Sequence, residues 1–137
     1  VPQMILQGQL QSKSNSRQIV MVRGKPLVIK SKAARDCADS FTTQLKAQWQ
    51  NAPPVPEPAL LSCVIHYTSR RSDLDVSLLQ DCLQAAGVVA NDRHIHELRA
   101  SKRFDKANPR VELWIGPAVV EEHSRAVGEG YFKGGEG

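Results

Sequence analysis

Cysteines, aromatic residues and long apolar runs are all scarce in this chain, and each scarcity removes a class of protein. Three cysteines among 137 residues, Cys37, Cys63 and Cys82, form an odd set with no Cys-x-x-Cys pair, and each lies in an apolar stretch. Neither a disulfide framework nor a structural zinc site is expected, which points to a reducing, cytoplasmic setting. No run approaches the ~18 consecutive apolar residues of a membrane span, and no charged, apolar leader is recognisable, so membrane insertion and secretion are not expected. A glycine-rich phosphate loop, a nucleophile elbow and a Cys-His pair in recognisable context are missing as well. Negative charge is absent most unevenly. The first 35 residues hold seven bases (Lys13, Arg17, Arg23, Lys25, Lys30, Lys32 and Arg35) and no acid, in a chain whose overall charge is only +4. A cationic end fits a polyanion, and it also fits a solvated face balanced elsewhere in the fold.

What is present suffices for one domain. With 41% apolar and 23% charged residues the composition is globular, and a chain of this length buries roughly two-thirds of its unfolded surface. Gln3 to Gln9, Arg17 to Arg23 and Pro26 to Lys30 are short β-rich runs, predicted to form a meander or hairpin across an Arg-Gly-Lys turn. Ser31 is placed to cap a helix with the apolar stripe Ala34, Cys37, Ala38, Phe41, Leu45 and Trp49. The prolines from Pro53 to Pro58 then make a stiff crossing loop. Ala59 to Tyr67 is almost continuously apolar, as in a central strand buried on both faces. The spacing of Asp75, Leu78, Leu79, Cys82, Leu83 and Ala86 predicts a second helix stopped by Gly87. His94 to Arg103 and Arg110 to Ile115 are expected to pair as a hairpin, and Pro117 to Val127 to form a last helix. The order βββ-α-β-α-ββ-α predicts a single α+β domain over residues 1–127, one mixed β-sheet with helices packed against it, and a flexible tail over 128–137.

The residues with most chemical content run from Arg70 to Asp75, where the buried strand gives way to the second helix. In an extended segment Asp73 and Asp75 project from one face, roughly 7 Å apart at the Cα level, so both can reach one cation while Leu74 points into the core. Asp92 joins them if the helix packs back on the strand. Hard ions such as Mg2+ take carboxylate and water oxygens, and a pair of them can clamp the attacking and leaving oxygens of a phosphodiester. The plainer reading makes Asp75 a helix cap, Asp73 a solvated loop acid and Asp92 a turn residue. His94 and His96 share a strand face that zinc could use together with His123, against the alternative of a polar sheet edge; His94 could also contact phosphate. His66 reads as a hydrogen-bonded core histidine, and Trp49 and Trp114 as core or interface residues.

This arrangement resembles the RusA family of Holliday junction resolvases, small dimeric endonucleases of bacteria and their phages. The likeness covers most of the chain. In that family a strand leads through basic residues into an Asp-Leu-Asp pair, then a helix with an Asp-x-Leu, a glycine and an acidic doublet; the counterparts are Arg70, Arg71, Asp73, Leu74, Asp75, Asp81, Leu83, Gly87, Asn91 and Asp92. Lys102, Val111 to Leu113, and Ser14, Asn15 and Arg17 match further motifs. Val76 and Ser77 follow the acid pair where the family has an Asn and, a few residues on, a Lys, and only the second acid of the doublet is kept. The resemblance implies a homodimeric endodeoxyribonuclease, dependent on Mg2+ or else Mn2+, that resolves four-way junction DNA by paired symmetric nicks in recombination and repair. Asp73, Asp75 and Asp92 match its metal-binding acids, and Arg17, Arg70, Arg71 and Lys102 would bind DNA. With the helix lysine missing, Arg71 is the first candidate for the catalytic cation, because alternation aims it with Asp73, and Lys102 is the second. Asp81 lies ~240° around the helix from Asp75 and need not share its metal. The rival expectation is a junction or duplex DNA-binding protein with weak or lost cleavage.

Overall fold

The structure, a computed structural model, describes residues 3–12 and 17–119, with the backbone alone at Arg17. Its elements in chain order are β1 (Met4–Gln7), β2 (Arg17–Val22), β3 (Lys25–Lys30), α1 (Lys32–Trp49), β4 (Ala59–Tyr67), α2 (Ser77–Ala85), a 3-10 turn (Asp92–His94), β5 (Ile95–Phe104) and β6 (Arg110–Pro117). They build a single small α+β domain with a mixed sheet and two helices, as the pattern predicts. The expected last helix over 117–127 is not found at its start, because Pro117 ends β6. Its remainder, His123 and the 128–137 tail lie outside the described residues, as do Ser14 and Asn15.

Helix ends follow the local chemistry. Ser31 Oγ accepts the Ala34 N–H at 3.2 Å and starts α1. Beyond α2, Gly87 takes φ +79°, and the Val88 N–H reaches back to the Leu83 carbonyl at 2.9 Å. A side chain at Gly87 would strain that left-handed stop.

Sheet order departs from expectation in two places. The four strands run β1-β6-β4-β5, with β4 parallel to β5 and antiparallel to β6, so β5 and β6 do not pair as a hairpin. The most apolar strand takes the centre, where both its edges find hydrogen bonds, while β5, with Glu97, Arg99, Lys102 and Arg103, suits the edge. The first three strands form no meander either. β1 pairs with β6, whereas among the described residues β2 and β3 pair only with each other. The outer edge of β1 is closed by side-chain amides: Gln48 exchanges hydrogen bonds with Ile5 N and O, at 3.1 and 2.8 Å, and Gln44 does so with Gln7, at 2.7 and 2.9 Å.

β4 is buried on one face rather than both. Ala59, Leu61, Cys63, Ile65 and Tyr67 enter the core formed with Phe41, Leu45, Leu78, Leu79 and Leu83 of the helices. Leu60, Ser62, Val64 and His66 face the other way and are only half-buried, because among the described residues both helices pack on a single side. On that open side the Trp114 indole lies flat against Gly116, where an added Cβ would come within 2.5 Å of the ring. No helix among the described residues is long and apolar enough to cross a membrane.

Candidate functional site

β4 ends at Tyr67, and the loop after it is pinned from several sides. The Tyr67 hydroxyl donates to the Asp73 carbonyl at 3.0 Å, and burial pushes that phenol's pKa up, so it stays a donor. Gln9 Oε1 accepts from both the N–H, at 2.7 Å, and the hydroxyl of Thr68. From the adjacent strand β5, Lys102 Nζ donates to the Ser72 and Arg70 carbonyls at 2.7 and 3.2 Å. Arg70 lays its guanidinium 4.9 Å from the centre of the Phe104 ring, a cation–π contact that holds it beside the loop.

This frame presents the acid pair unequally. Asp73 is exposed, and it lines a cavity of about 210 Å³ together with Arg71, Ser12, Gln9 and Tyr67. Asp75 is half-buried: Oδ1 accepts the Ser77 N–H at 3.0 Å, opening α2, and Oδ2 accepts the Ser12 hydroxyl at 3.0 Å. With Asp75 turned inward, Val76 takes the apolar position at 8% exposure and Leu74 is left 42% exposed. The expectation that Leu74 points into the core is therefore corrected.

Asp92 lies elsewhere. It opens the 3-10 turn before Ile95, and Ile95 pairs with Ala59 at the start of β4. Asp73 and Asp75 follow the end of β4, eight strand steps or about 26 Å along. Within one chain the crossover through α2 thus places the acid pair and Asp92 at opposite ends of the β4–α2–β5 unit. Asp92 shares its cavity, about 610 Å³, with Asp81, Lys30, Gln84, Asn91 and Arg93. Its N–H donates to Gln84 Oε1 at 2.9 Å, and Asn91 caps the turn through the Arg93 N–H at 2.9 Å.

At that same end, sequence reasoning missed Glu57. This proline-loop acid sits 2.7 Å from His96 Nε2 and 3.8 Å from His94 Nε2, and the His96 hydrogen bond holds its carboxyl below the usual range. The two imidazoles turn to a carboxylate at the sheet end. Among the described residues no group of three or more His, Cys, Asp and Glu side chains is arranged to hold a metal ion. A smaller donor set still suits Mg2+, which is commonly bound by one or two carboxylates and keeps several waters. Asp73, open to solvent, suits that requirement, and Asp75, two residues on along the same pinned loop, would have to join it through the lone pairs that Ser77 and Ser12 leave over.

The remaining candidates have structural explanations. His66 is half-buried, and its buried Nε2 has Glu112 Oε2 as its neighbour at 3.5 Å. Arg110 bridges Glu112 and Asp105, both at 2.9 Å, and holds both carboxyls below their usual range. Trp49 packs against the core and donates to the Ala52 carbonyl at 2.9 Å. Burial pushes the Cys37 and Cys63 thiols up to about 11 and raises Cys82, which keeps all three protonated at neutral pH. Compared with known proteins, the chain matches no family model and no curated protein sequence.

Proposed function

We propose that this chain is a Mg2+-dependent, structure-selective DNA endonuclease of the RusA type, acting as a homodimer that resolves four-way junctions by paired nicks in the bacterial cytoplasm. The observation that carries this reading is the pinned loop after β4, where Asp73 and Arg71 share one cavity and Asp75 stands beside them. Asp73 and Asp75 would hold the ion. When bound, the metal supplies Lewis-acid stabilisation for the charge that builds on the phosphoryl oxygens in an in-line displacement.

The chain's own residues divide the remaining work. Arg71, which lines the Asp73 cavity, would meet those oxygens. Lys102 is a positioning residue, because its ammonium holds the carbonyls of Arg70 and Ser72 and so fixes the approach of the acid pair. Arg70 and Arg17 would bind DNA backbone, where cations give affinity without reading sequence. A two-fold dimer answers the two cuts of a symmetric junction. It also answers the placement of Asp92, which can serve the same ion only when supplied by the partner subunit.

The rival reading, a junction-binding protein without efficient cleavage, draws on Asp75, whose two oxygens are engaged by Ser77 and Ser12, and on the missing helix lysine. A Mg2+ titration on an end-labelled four-way junction separates the two. The endonuclease gives paired nicks that increase with Mg2+; retention of intact junction at every Mg2+ concentration supports the binder.

A further inference from the structure

Among the described residues the β2–β3 arm pairs only with itself, in register from Arg17 opposite Lys30 to Val22 opposite Lys25. Alternation along two paired strands ordinarily gives one apolar and one polar face. Here both are apolar. Ile19 and Val28 face each other on one side, 70% and 55% exposed, with Met21 beside them at 66%. Leu27, on the opposite side with Val22, is 49% exposed, as is Val22. A lone two-stranded ribbon is marginally stable at best in water, and it needs a third strand or a covering layer to persist.

We propose that this arm is the surface through which two copies of the chain dimerise, each arm packing on the other copy. The inference rests on the two-fold reading above and names the surface that reading requires. At on the order of 100 Å² each, the five exposed side chains offer about 500 Å² from one arm, more than half of the ~800 Å² per partner in a standard stable interface. A self-complementary patch used twice about a two-fold axis is the arrangement a homodimer makes, and both outer edges of the arm are free of described strands that could pair with them. Nucleic acid suits this surface less well. Phosphates would engage Arg23 and Lys25 at the tip, but they would leave Ile19, Met21, Leu27 and Val28 in water on both faces. The arm is also tied to the acid pair, since Ser12, which donates to Asp75, lies shortly before its root.

The test uses the full chain without DNA or metal. Wild-type protein should scatter light as a dimer at micromolar concentration. The variant Ile19→Thr/Val28→Thr keeps β-branched side chains at solvent-exposed positions, so the domain body should retain its circular dichroism. It should nevertheless raise the dimer dissociation constant at least ~100-fold. Hydrogen exchange provides the second measurement: amides of β2 and β3 should be protected at tens of micromolar and lose protection on dilution. The proposal is overturned by a monomeric wild type, or by a variant that dimerises as tightly as wild type. Protection unchanged by dilution, which would mean that residues 120–137 of the same chain cover the arm, overturns it too. So does a variant that stays dimeric but loses affinity for four-way junctions, which would make the arm a DNA surface. A dimer that nicks nothing would remove the endonuclease and leave the arm's role intact.

Discussion

The two ends of the β4–α2–β5 unit carry similar residue types and arrange them for different ends. After β4, Asp73 and Asp75 sit on a loop fixed by Tyr67, Lys102 and Arg70, and Arg71 shares a cavity with Asp73. Before β5, Asp92 faces Asp81 across a wider cavity while Glu57 takes up His94 and His96. The first end puts an exposed carboxylate beside an arginine on a restrained backbone. At the second, Glu57 is taken up by the two histidines, while Asp81 and Asp92 line an open cavity with Lys30 and Arg93. Residues close in sequence can thus be distant in a parallel crossover, because the helix that joins two parallel strands must return along their whole length.

The comparison is broken most severely by removing the carboxylates. Asp73→Asn and Asp75→Asn should each reduce nicking by about three orders of magnitude or more, with junction binding unchanged or slightly stronger, since loss of negative charge beside DNA cannot weaken its attraction. Asp92→Asn should be as severe if the two ends meet across the dimer. A mild effect would confine the site to the β4 end. Single-turnover cleavage and gel-shift titration measure the two quantities.

Between the ends lies the span that holds them apart. Leu61 and Leu98 are register partners on β4 and β5, one fully buried and the other 46% exposed. Leu61→Ala should cost about 2–5 kcal/mol in a denaturant melt, whereas Leu98→Ala should stay within about 0.5–1 kcal/mol. Equal losses would mean that β5 is covered as β4 is.

Arg71 and Lys102 sharpen the comparison within the first end. Arg71→Ala should lower the single-turnover rate roughly 100-fold with little change in affinity, the pattern of a contact made mainly in the transition state. Lys102→Ala removes the two loop hydrogen bonds instead, so it should cost about 1 kcal/mol of stability and weaken rate and binding together. If Arg71→Ala changes only affinity and its salt slope, Arg71 is a phosphate contact.

The smallest effect belongs to the other end. The folded-state pKa of Glu57 is depressed by His96, so its contribution to stability is present above the ordinary carboxylate range and lost as pH falls through the depressed value. His96→Ala should bring the NMR titration midpoint of Glu57 back up toward 4.5. It should scarcely alter nicking, since this pair is not part of the proposed chemistry.

Local signals carried much of this architecture. The Ser31 cap, the Phe41–Leu45 stripe and the Gly87 stop define the helices because capping and periodicity are short-range properties, readable within one or two turns. Strand partners were not legible in the same way. β5 and β6 look like a hairpin along the chain, but β4, with more to gain from burial, takes the place between them. Alternation also could not distinguish β1, which joins the sheet and is sealed by Gln44 and Gln48, from β2 and β3, which stand apart. That Asp73 and Arg71 line one cavity agrees with their spacing in the sequence. The inward turn of Asp75 was not legible there, since it depends on Ser12 from a distant segment, and the distance to Asp92 follows from parallel pairing that no local pattern encodes. Glu57 was hidden for a similar reason: its imidazole partners lie 37 and 39 residues away in sequence.

The most direct test of the central claim is cleavage of an end-labelled, mobile four-way junction by the wild-type chain and by Asp73→Asn, at equal and saturating protein, across a Mg2+ series. The account predicts paired nicks at symmetric positions with the wild type, dependent on Mg2+ and absent from the same duplex arms without a junction, and none with Asp73→Asn although it binds the junction equally well. Intact junction with the wild type at every Mg2+ concentration, or equal nicking by both proteins, would contradict it.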